Sequence, residues 1–368
     1  MMKQLGVAII GTGWCGGIRA ETCARSPYVS NLYLAEIEPV RLREVAARTR
    51  AAGVTADYRS FLRNDDIDAI IISATPETTH FPMAKESLEA GKHVFLEKPI
   101  ALELFEADEL IALAKSKGVL FTIGYSQRFN PKFAYVKRSV DNGTIGQPVS
   151  ALVSRHIART LGDRIGGRIK LSPAAMEATH DIDFVLWCFA PRTPVRVYAQ
   201  AVRKIMQPTH GVPDCAWIIV TLNDGCVFTI GASWVLPPAY PNFSSTWIEM
   251  VGTEGAIMVD DTHRDVSLNT LKRGIEFPIS TMPGERVGHV FAGPMEAETI
   301  HFLECVADGR QPLVKPEEAR LVMQVYQAAD SSAEQGRPID LVTSASTSDQ
   351  LAYSPLNASR KNPTATHH

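Results

Sequence analysis

No apolar run in this sequence approaches the roughly 20 residues that a helix needs to cross a bilayer, so no segment is a candidate membrane-spanning helix. Cysteine is sparse and scattered. Cys15, Cys23, Cys188, Cys215, Cys226 and Cys305 form no C-x-x-C pair and no metal-ligand spacing with histidine. Neither a metal centre nor a disulfide framework is expected, and a reducing cytoplasm suits them better. Charge of one sign is lacking too: 37 Lys+Arg against 40 Asp+Glu leaves a net charge of -3. That gives no basic face for nucleic acid or an anionic membrane. The chain passes from Met1-Met2-Lys3-Gln4 straight into an apolar strand, so no signal peptide is expected. No internal repeat is visible. What remains is a chain of 368 residues, 45% hydrophobic and 21% charged. Those are the proportions of a soluble globular protein long enough for two domains.

The first 125 residues alternate between strand and helix. Apolar strands are expected near 5–10, 32–35, 68–74, 93–96 and 119–123, with helices near 39–50, 79–90 and 103–117. Continuous apolar strands are covered on both faces, so this half reads as a doubly wound parallel sheet, a Rossmann domain over 1–125. Beyond it, strands are expected at 149–157, 195–206, 216–222, 227–235, 247–251 and 256–259, some separated by glycine turns such as Asn223-Asp224-Gly225. With helices at 173–189, 294–308 and 316–335, residues 126–340 read as an α+β domain on a mostly antiparallel open sheet. Residues 341–368, rich in Ser, Thr, Asn and Ala, read as a poorly ordered tail.

Gly11-Thr12-Gly13-Trp14-Cys15-Gly16 is a G-x-G-x-x-G sequence directly after the first strand and before a helix. Gly11 permits the turn, Gly13 lets the backbone approach a diphosphate, and Gly16 lets helix and strand pack closely. Cys15, near a helix start, either has a lowered thiol pKa or simply fits the turn; no catalytic role is assigned to it. Glu36 closes the second strand about 20 residues on, where a carboxylate accepts the ribose hydroxyls and repels a 2′-phosphate. NAD is therefore expected over NADP, with Arg41 and Arg43 the residues that would rescue NADP.

Three further pieces fall where a doubly wound sheet binds ligands, or face that place. Ser73-Ala74-Thr75-Pro76 ends a strand beside the cofactor, with His80 four residues later as a packing or capping residue. Val94-Phe95-Leu96 ends in Glu97-Lys98-Pro99, and Pro99 stiffens the turn that projects Lys98 into the crevice, with a cis bond one way to do so. A lysine there can bind a hydroxyl or stabilise an alkoxide. In the second half, Ser172-Pro173 opens a helix that carries Glu177, His180 and Asp183 at three-residue spacing on one face. An imidazole held by Asp183 is a candidate acid/base; the alternative is a histidine that only caps a polar face.

These elements, in this order, together with Tyr125-Ser126-Gln127-Arg128-Phe129-Asn130-Pro131 and Val251-Gly252-Thr253-Glu254-Gly255, resemble the glucose–fructose oxidoreductase / inositol dehydrogenase / rhizopine-catabolism (Gfo/Idh/MocA) family over about residues 3 to 340. The resemblance implies NAD(P)-dependent hydride transfer at a hydroxyl-bearing carbon of a sugar, inositol or related polyol. It implies Lys98 and His180 as catalytic residues, and a dimer or tetramer through the open sheet of the second domain. Gln127, Arg128 and Asn130 would lie near the nicotinamide. Arg155, His156, Trp234, Tyr240 and His289 are candidate substrate contacts, each equally a candidate for packing.

Two departures stand out. Dehydrogenases of that family often carry an aspartate four residues before the histidine, where this chain has Met176; Glu177 is the nearest carboxylate. The glycines Gly166-Gly167 lie further upstream than usual, leaving an expected basic loop with Arg164, Arg168 and Lys170, fit either for an acidic sugar or a phosphate, or for solvent. Two rival functions stay open: a dinucleotide-binding sensor without turnover, and a redox-neutral elimination, hydrolysis or epimerisation through transient oxidation by tightly held NAD.

Overall fold

The computed structural model describes residues 3–166, 169–242, 244–262, 266–276, 286–287, 290–291 and 293–341. The tail after 341 and the candidates Arg168 and His289 lie outside the described residues.

The first sheet is built from β1 (Leu5–Ile10), β2 (Val29–Ala35), β3 (Gly53–Thr55), β4 (Ala69–Ile72), β5 (His93–Glu97) and β6 (Phe121–Gly124). The intervening helices are α1 (Trp14–Arg25), α2 (Pro39–Thr49), the single turn α3 (Arg59–Leu62), α4 (His80–Glu89) and α5 (Leu104–Lys117). All strand pairs are parallel, in the order β3-β2-β1-β4-β5-β6. β1, β4 and β6 are buried at every residue, because helices cover both faces. The strand order reverses between β1 and β4, and the crevice at their carboxyl ends is where such sheets take ligands. β3 was not expected: three residues carry no readable alternation.

α6 (Pro131–Asp141), capped by Asn130, leads into the second sheet. That sheet comprises β7 (Pro148–Ala158), β8 (Pro194–Val202), β9 (Cys215–Leu222), β10 (Val227–Leu236), β11 (Ser244–Gly252) and β12 (Ala256–Asp260). Its order is β12-β11-β7-β10-β9-β8, extended by the edge strand Ile339–Asp340, and among the described residues β7–β10 is its one parallel pair. Two short ribbons, β13 (Leu268–Thr270) with β14 (Gly274–Glu276) and β15 (Arg286–Val287) with β16 (Val290–Phe291), stand apart from it. Alternation is strict where it matters. On β7, Ala151, Val153, Arg155 and Ile157 are buried, while Leu152 faces the other way and is exposed.

α7 (Arg159–Gly166) continues directly from β7, and α8 (Thr179–Phe189) and the turn α9 (Gln207–His210) complete the middle of the chain. The expected basic loop therefore begins as a helix. Leu161 and Ile165 give it an apolar face that the neighbouring charges hide in the sequence. The expected single helix over 173–189 is really a wider π turn, Ala174–Ala178, running into α8. The expected strand over 195–206 stops at Val202, because Asp214 accepts the backbone N–H groups of Lys204, Ile205 and Met206 and curls them into a turn.

α10 (Pro294–Asp308) and α11 (Pro316–Gln335) end where proline at the start and a left-handed glycine at the end (Gly309, φ 68°; Gly336, φ 66°) set their limits. α11 packs on β8 and α8 beneath the second sheet. α10 does not. It lies against α1, and Phe302, Leu303 and Val306 join Leu5, Val7, Ile9 and Phe95 in the core of the first sheet. Among the described residues no helix is long and apolar enough to cross a membrane.

Candidate active site

A cleft of about 1140 Å³ runs along the carboxyl ends of β1, β4 and β5 and is closed on its far side by the second domain. Its cofactor end is main chain. Gly11 has φ +83°, and a Cβ there would stand 2.6 Å from the Ala74 backbone; one on Gly16 would stand 1.9 Å from the Gly11 carbonyl. A Cβ on Gly13 would meet nothing within 4 Å, so this face is open to a ligand. α1 starts there with no side-chain cap, which leaves first-turn N–H groups for an anion. The cradle thus fits a diphosphate.

Glu36 lines the same end. Its Oε2 accepts from the Thr12 N–H (2.8 Å) and hydroxyl (3.1 Å), and its Oε1 from the Glu38 N–H (3.0 Å). Burial pushes its carboxyl up, but those donors and the Arg41 guanidinium outweigh it and hold it below the usual range. A charged acceptor beside the cradle fits ribose hydroxyls. Trp14 and Cys15 also line the cleft. Burial, then the Glu97 carboxylate, pushes the Cys15 thiol up to about 12, which favours the reading in which it simply fits the turn. Desolvation outweighs the nearby Arg19 and Lys98 cations.

The two strand-end turns are tied together. Thr75–Pro76 and Lys98–Pro99 are both cis. Buried His80 reaches the Pro99 carbonyl through Nδ1 (2.8 Å) and the Ala74 carbonyl through Nε2 (3.1 Å). It is a strut between the turns rather than a helix cap. Glu97 is held from behind by Arg19, a wholly buried residue that the sequence reading missed. Its Nε lies 2.8 Å from Glu97 Oε1 and its Nη2 2.7 Å from Glu298, while the guanidinium stacks 4.0 Å from the centre of the Phe95 ring. The available signal was Glu97 itself, since a carboxylate ending a buried strand needs a cation.

Lys98 crosses the cleft. Its ammonium donates to the Met176 carbonyl at 2.7 Å, in the π turn that precedes His180. His180 lines the cleft and is half-buried; its ring stands edge-on to Tyr125 (centroids 6.1 Å apart), and its buried Nδ1 has no hydrogen-bond partner. Burial, then the Lys98 and Arg155 cations, push its pKa well below the usual histidine value, so the imidazole is neutral. Glu177 lines the cleft next to it and accepts from the Trp234 indole N–H (2.8 Å); burial raises its pKa. Gln127 and Asn130 line the cleft too; Gln127 Oε1 is buried without a partner, and Asn130 caps α6 through Lys132 N.

Several expected roles are corrected. Asp183 does not hold His180. Both its oxygens accept from Arg128 (2.9 and 2.6 Å), whose remaining nitrogen reaches Glu318 (2.7 Å) and the Leu313 carbonyl. Three-residue spacing put His180 and Asp183 on one face, but a buried guanidinium is the stronger claimant. Arg128 is in consequence a structural tie and lies outside the cleft lining. Arg155 does line the cleft, yet its guanidinium is bound by both oxygens of Asp181 (2.8 and 2.7 Å). His156, one residue on, points to the opposite face of the sheet, where it bonds Ser154 and Ser233. Trp234 stands behind the lining as the support of Glu177, and Tyr240 borders a separate hollow near β13 and β14. Of the basic-loop candidates Arg164 lines the cleft, and Ile157, Leu161, Ile165 and Asp261 line it without having been singled out as contacts.

The comparisons agree with this architecture. Residues 5–125 match the oxidoreductase family's NAD-binding Rossmann fold, and residues 137–341 match its C-terminal alpha/beta domain. The chain is 28% identical over 346 residues to the scyllo-inositol 2-dehydrogenase (NAD(+)) of Bacillus subtilis, covering 93% of this chain and 97% of that protein. It is 25% identical over 344 residues to the myo-inositol 2-dehydrogenase of Thermotoga maritima, with 91% and 98% covered. Among solved structures, the scyllo-inositol dehydrogenase of Lactobacillus casei with bound NAD(H) and scyllo-inositol superposes with a TM-score of 0.80 at 20% identity, covering 92% and 99% of the two chains. A glycine cradle answered by Glu36, and a lysine that bridges to the helix bearing His180, are thus parts of a fold matched along both domains: the chain belongs to the Gfo/Idh/MocA oxidoreductase family, and its first domain is an NAD-binding Rossmann fold.

Proposed function

We propose that the chain is an NAD-dependent dehydrogenase that oxidises a secondary hydroxyl of a sugar or cyclic polyol, with Lys98 and His180 as its catalytic residues. The observation that carries this reading is the bridge between domains: Lys98, from the strand-end turn, is seated on the carbonyl of Met176 beside a neutral His180 that lines the same cleft. The division into residues 1–125 for the cofactor and 126–340 for substrate and assembly belongs to the same proposal. Inositol oxidation by relatives over nearly their whole length supports the substrate class.

The backbone of Gly11–Gly16 would hold the diphosphate, and Glu36 the adenosine ribose. When bound, NAD supplies the acceptor for the hydride that leaves the alcohol carbon. The protein does the rest. His180, kept neutral by desolvation and by the Lys98 and Arg155 cations, takes the hydroxyl proton on a ring nitrogen. Lys98 donates to the same oxygen and stabilises the alkoxide that develops there. Met176 offers no carboxylate to the imidazole, and Asp183 is engaged by Arg128, so desolvation first, then the field of Lys98, tunes His180.

The open sheet face exposes Leu152, Trp217, Ile219 and Trp247, and this supports a homodimer in which a second copy covers it. All six cysteines are free thiols, consistent with work in the cytoplasm. The test is kinetic. Lys98→Ala and His180→Ala should each lower kcat by about 10²–10⁴-fold, while NAD affinity by fluorescence titration stays as in the wild type. Wild-type turnover in either variant overturns the assignment.

A further inference from the structure

The proposed function leaves the substrate open to any polyol, and the far wall of the cleft narrows it. Ile157 from β7, Leu161 and Ile165 from α7, and Met176 from the π turn all line the cleft on the second-domain side. They are not isolated. With Met206, Val212 and Trp234 they form one apolar cluster, separate from the main cores. α7 is pressed onto this cluster, since a Cβ on Gly162 would stand 2.6 Å from the Trp234 Cβ. The wall is therefore a packed surface.

Arg164 and Gln127 also line the cleft, but the polar groups that flank the four apolar side chains, Arg155 and Glu177, are held by neighbours. Arg155 holds Asp181 through two hydrogen bonds, and Glu177 accepts from Trp234. Lys98 and His180 serve the reacting hydroxyl. A cyclitol with a hydroxyl on every carbon would press several of them against methyl and methylene groups, and a buried hydroxyl without a partner weakens binding. We propose that the substrate is amphipathic: a ring polyol whose side opposite the reacting carbon is deoxygenated or carries an alkyl ether or similar apolar group, packed against Ile157, Leu161, Ile165 and Met176. This rests on the dehydrogenase reading for the position of the reacting hydroxyl, but the wall itself does not.

Binding and turnover test it separately. Scyllo-inositol, its mono-O-methyl ether and its monodeoxy derivative are titrated calorimetrically into the full chain saturated with NADH, and kcat/KM with NAD is measured for each. The parent ring is symmetric, so a derivative can turn its apolar edge to the wall. The ether or the deoxy compound should bind at least about 10-fold tighter than scyllo-inositol, within the range one apolar group commands in a pocket. Met176→Asp combined with Leu161→Asn should reverse that order. Scyllo-inositol binding as tightly as its derivatives, or no binding of any of the three, overturns the proposal. Oxidation of scyllo-inositol in preference to them overturns it while leaving the dehydrogenase intact. The expected binding order without any turnover supports the apolar wall and sinks the dehydrogenase.

Discussion

The two sides of the cleft are made of different material. At the cofactor end, Gly11, Gly13 and Gly16 leave bare main chain and an uncapped helix start. At the substrate end, side chains from β7, α7 and the π turn form the surface, propped by Trp234 and by the Arg155–Asp181 pair. Main-chain donors serve one chemical group that does not change, a diphosphate. A wall of side chains can be rebuilt residue by residue without disturbing the sheet beneath. One scaffold can in this way keep its coenzyme and change its substrate.

Removing a prop should damage one side alone. Arg155→Ala leaves Asp181 as an unpaired charge in the interior, a loss of about 3–5 kcal/mol for a broken buried pair. Chemical denaturation should show that loss, whereas a variant as stable as the wild type would mean the wall does not depend on the pair. Gly13→Ala is the converse. Nothing lies within 4 Å of the added methyl and the backbone there is extended, so the melting temperature should hold. The methyl intrudes where the diphosphate must approach, which overpacks that contact by about 1–3 kcal/mol and raises the Kd for NAD roughly 10–100-fold. Unchanged NAD affinity would argue against main-chain recognition. The smallest effect concerns pH. Because the His180 pKa is lowered well below its usual value, the imidazole stays unprotonated as pH falls through 6.5. The kcat/KM profile should stay level through that value and fall only at distinctly lower pH; a limb at 6.5 would mean that substrate-free His180 is more open to water than its burial implies.

The same contrast explains what could be read from the sequence. The glycine turn, Glu36 and the Lys98 turn were legible because backbone geometry demands those residue types at fixed spacing. Helices bounded by Pro316 and Gly336, or by Pro294 and Gly309, announced their own ends. The partners of Arg128 and Arg155 were not legible, since Asp183 and Asp181 lie 55 and 26 residues away and only the fold chooses between them. The π turn has no composition of its own, so Met176 and Glu177 were placed on an ordinary helix. α7 was hidden by Arg164, Arg168 and Lys170, whose charges suggested a solvated loop and obscured Leu161 and Ile165.

Arg19 has a bearing on how the molecule is made. Its guanidinium reaches Thr299 and Glu298, about 280 positions later in the chain, and Phe302 closes edge-on over Phe95 at 5.7 Å. The first lobe thus waits for a layer that the ribosome delivers about 280 residues later. Until then a bare guanidinium and an uncovered apolar surface sit on the nascent chain, so a fragment cut after residue 125 would be an unfinished half rather than a free-standing coenzyme binder.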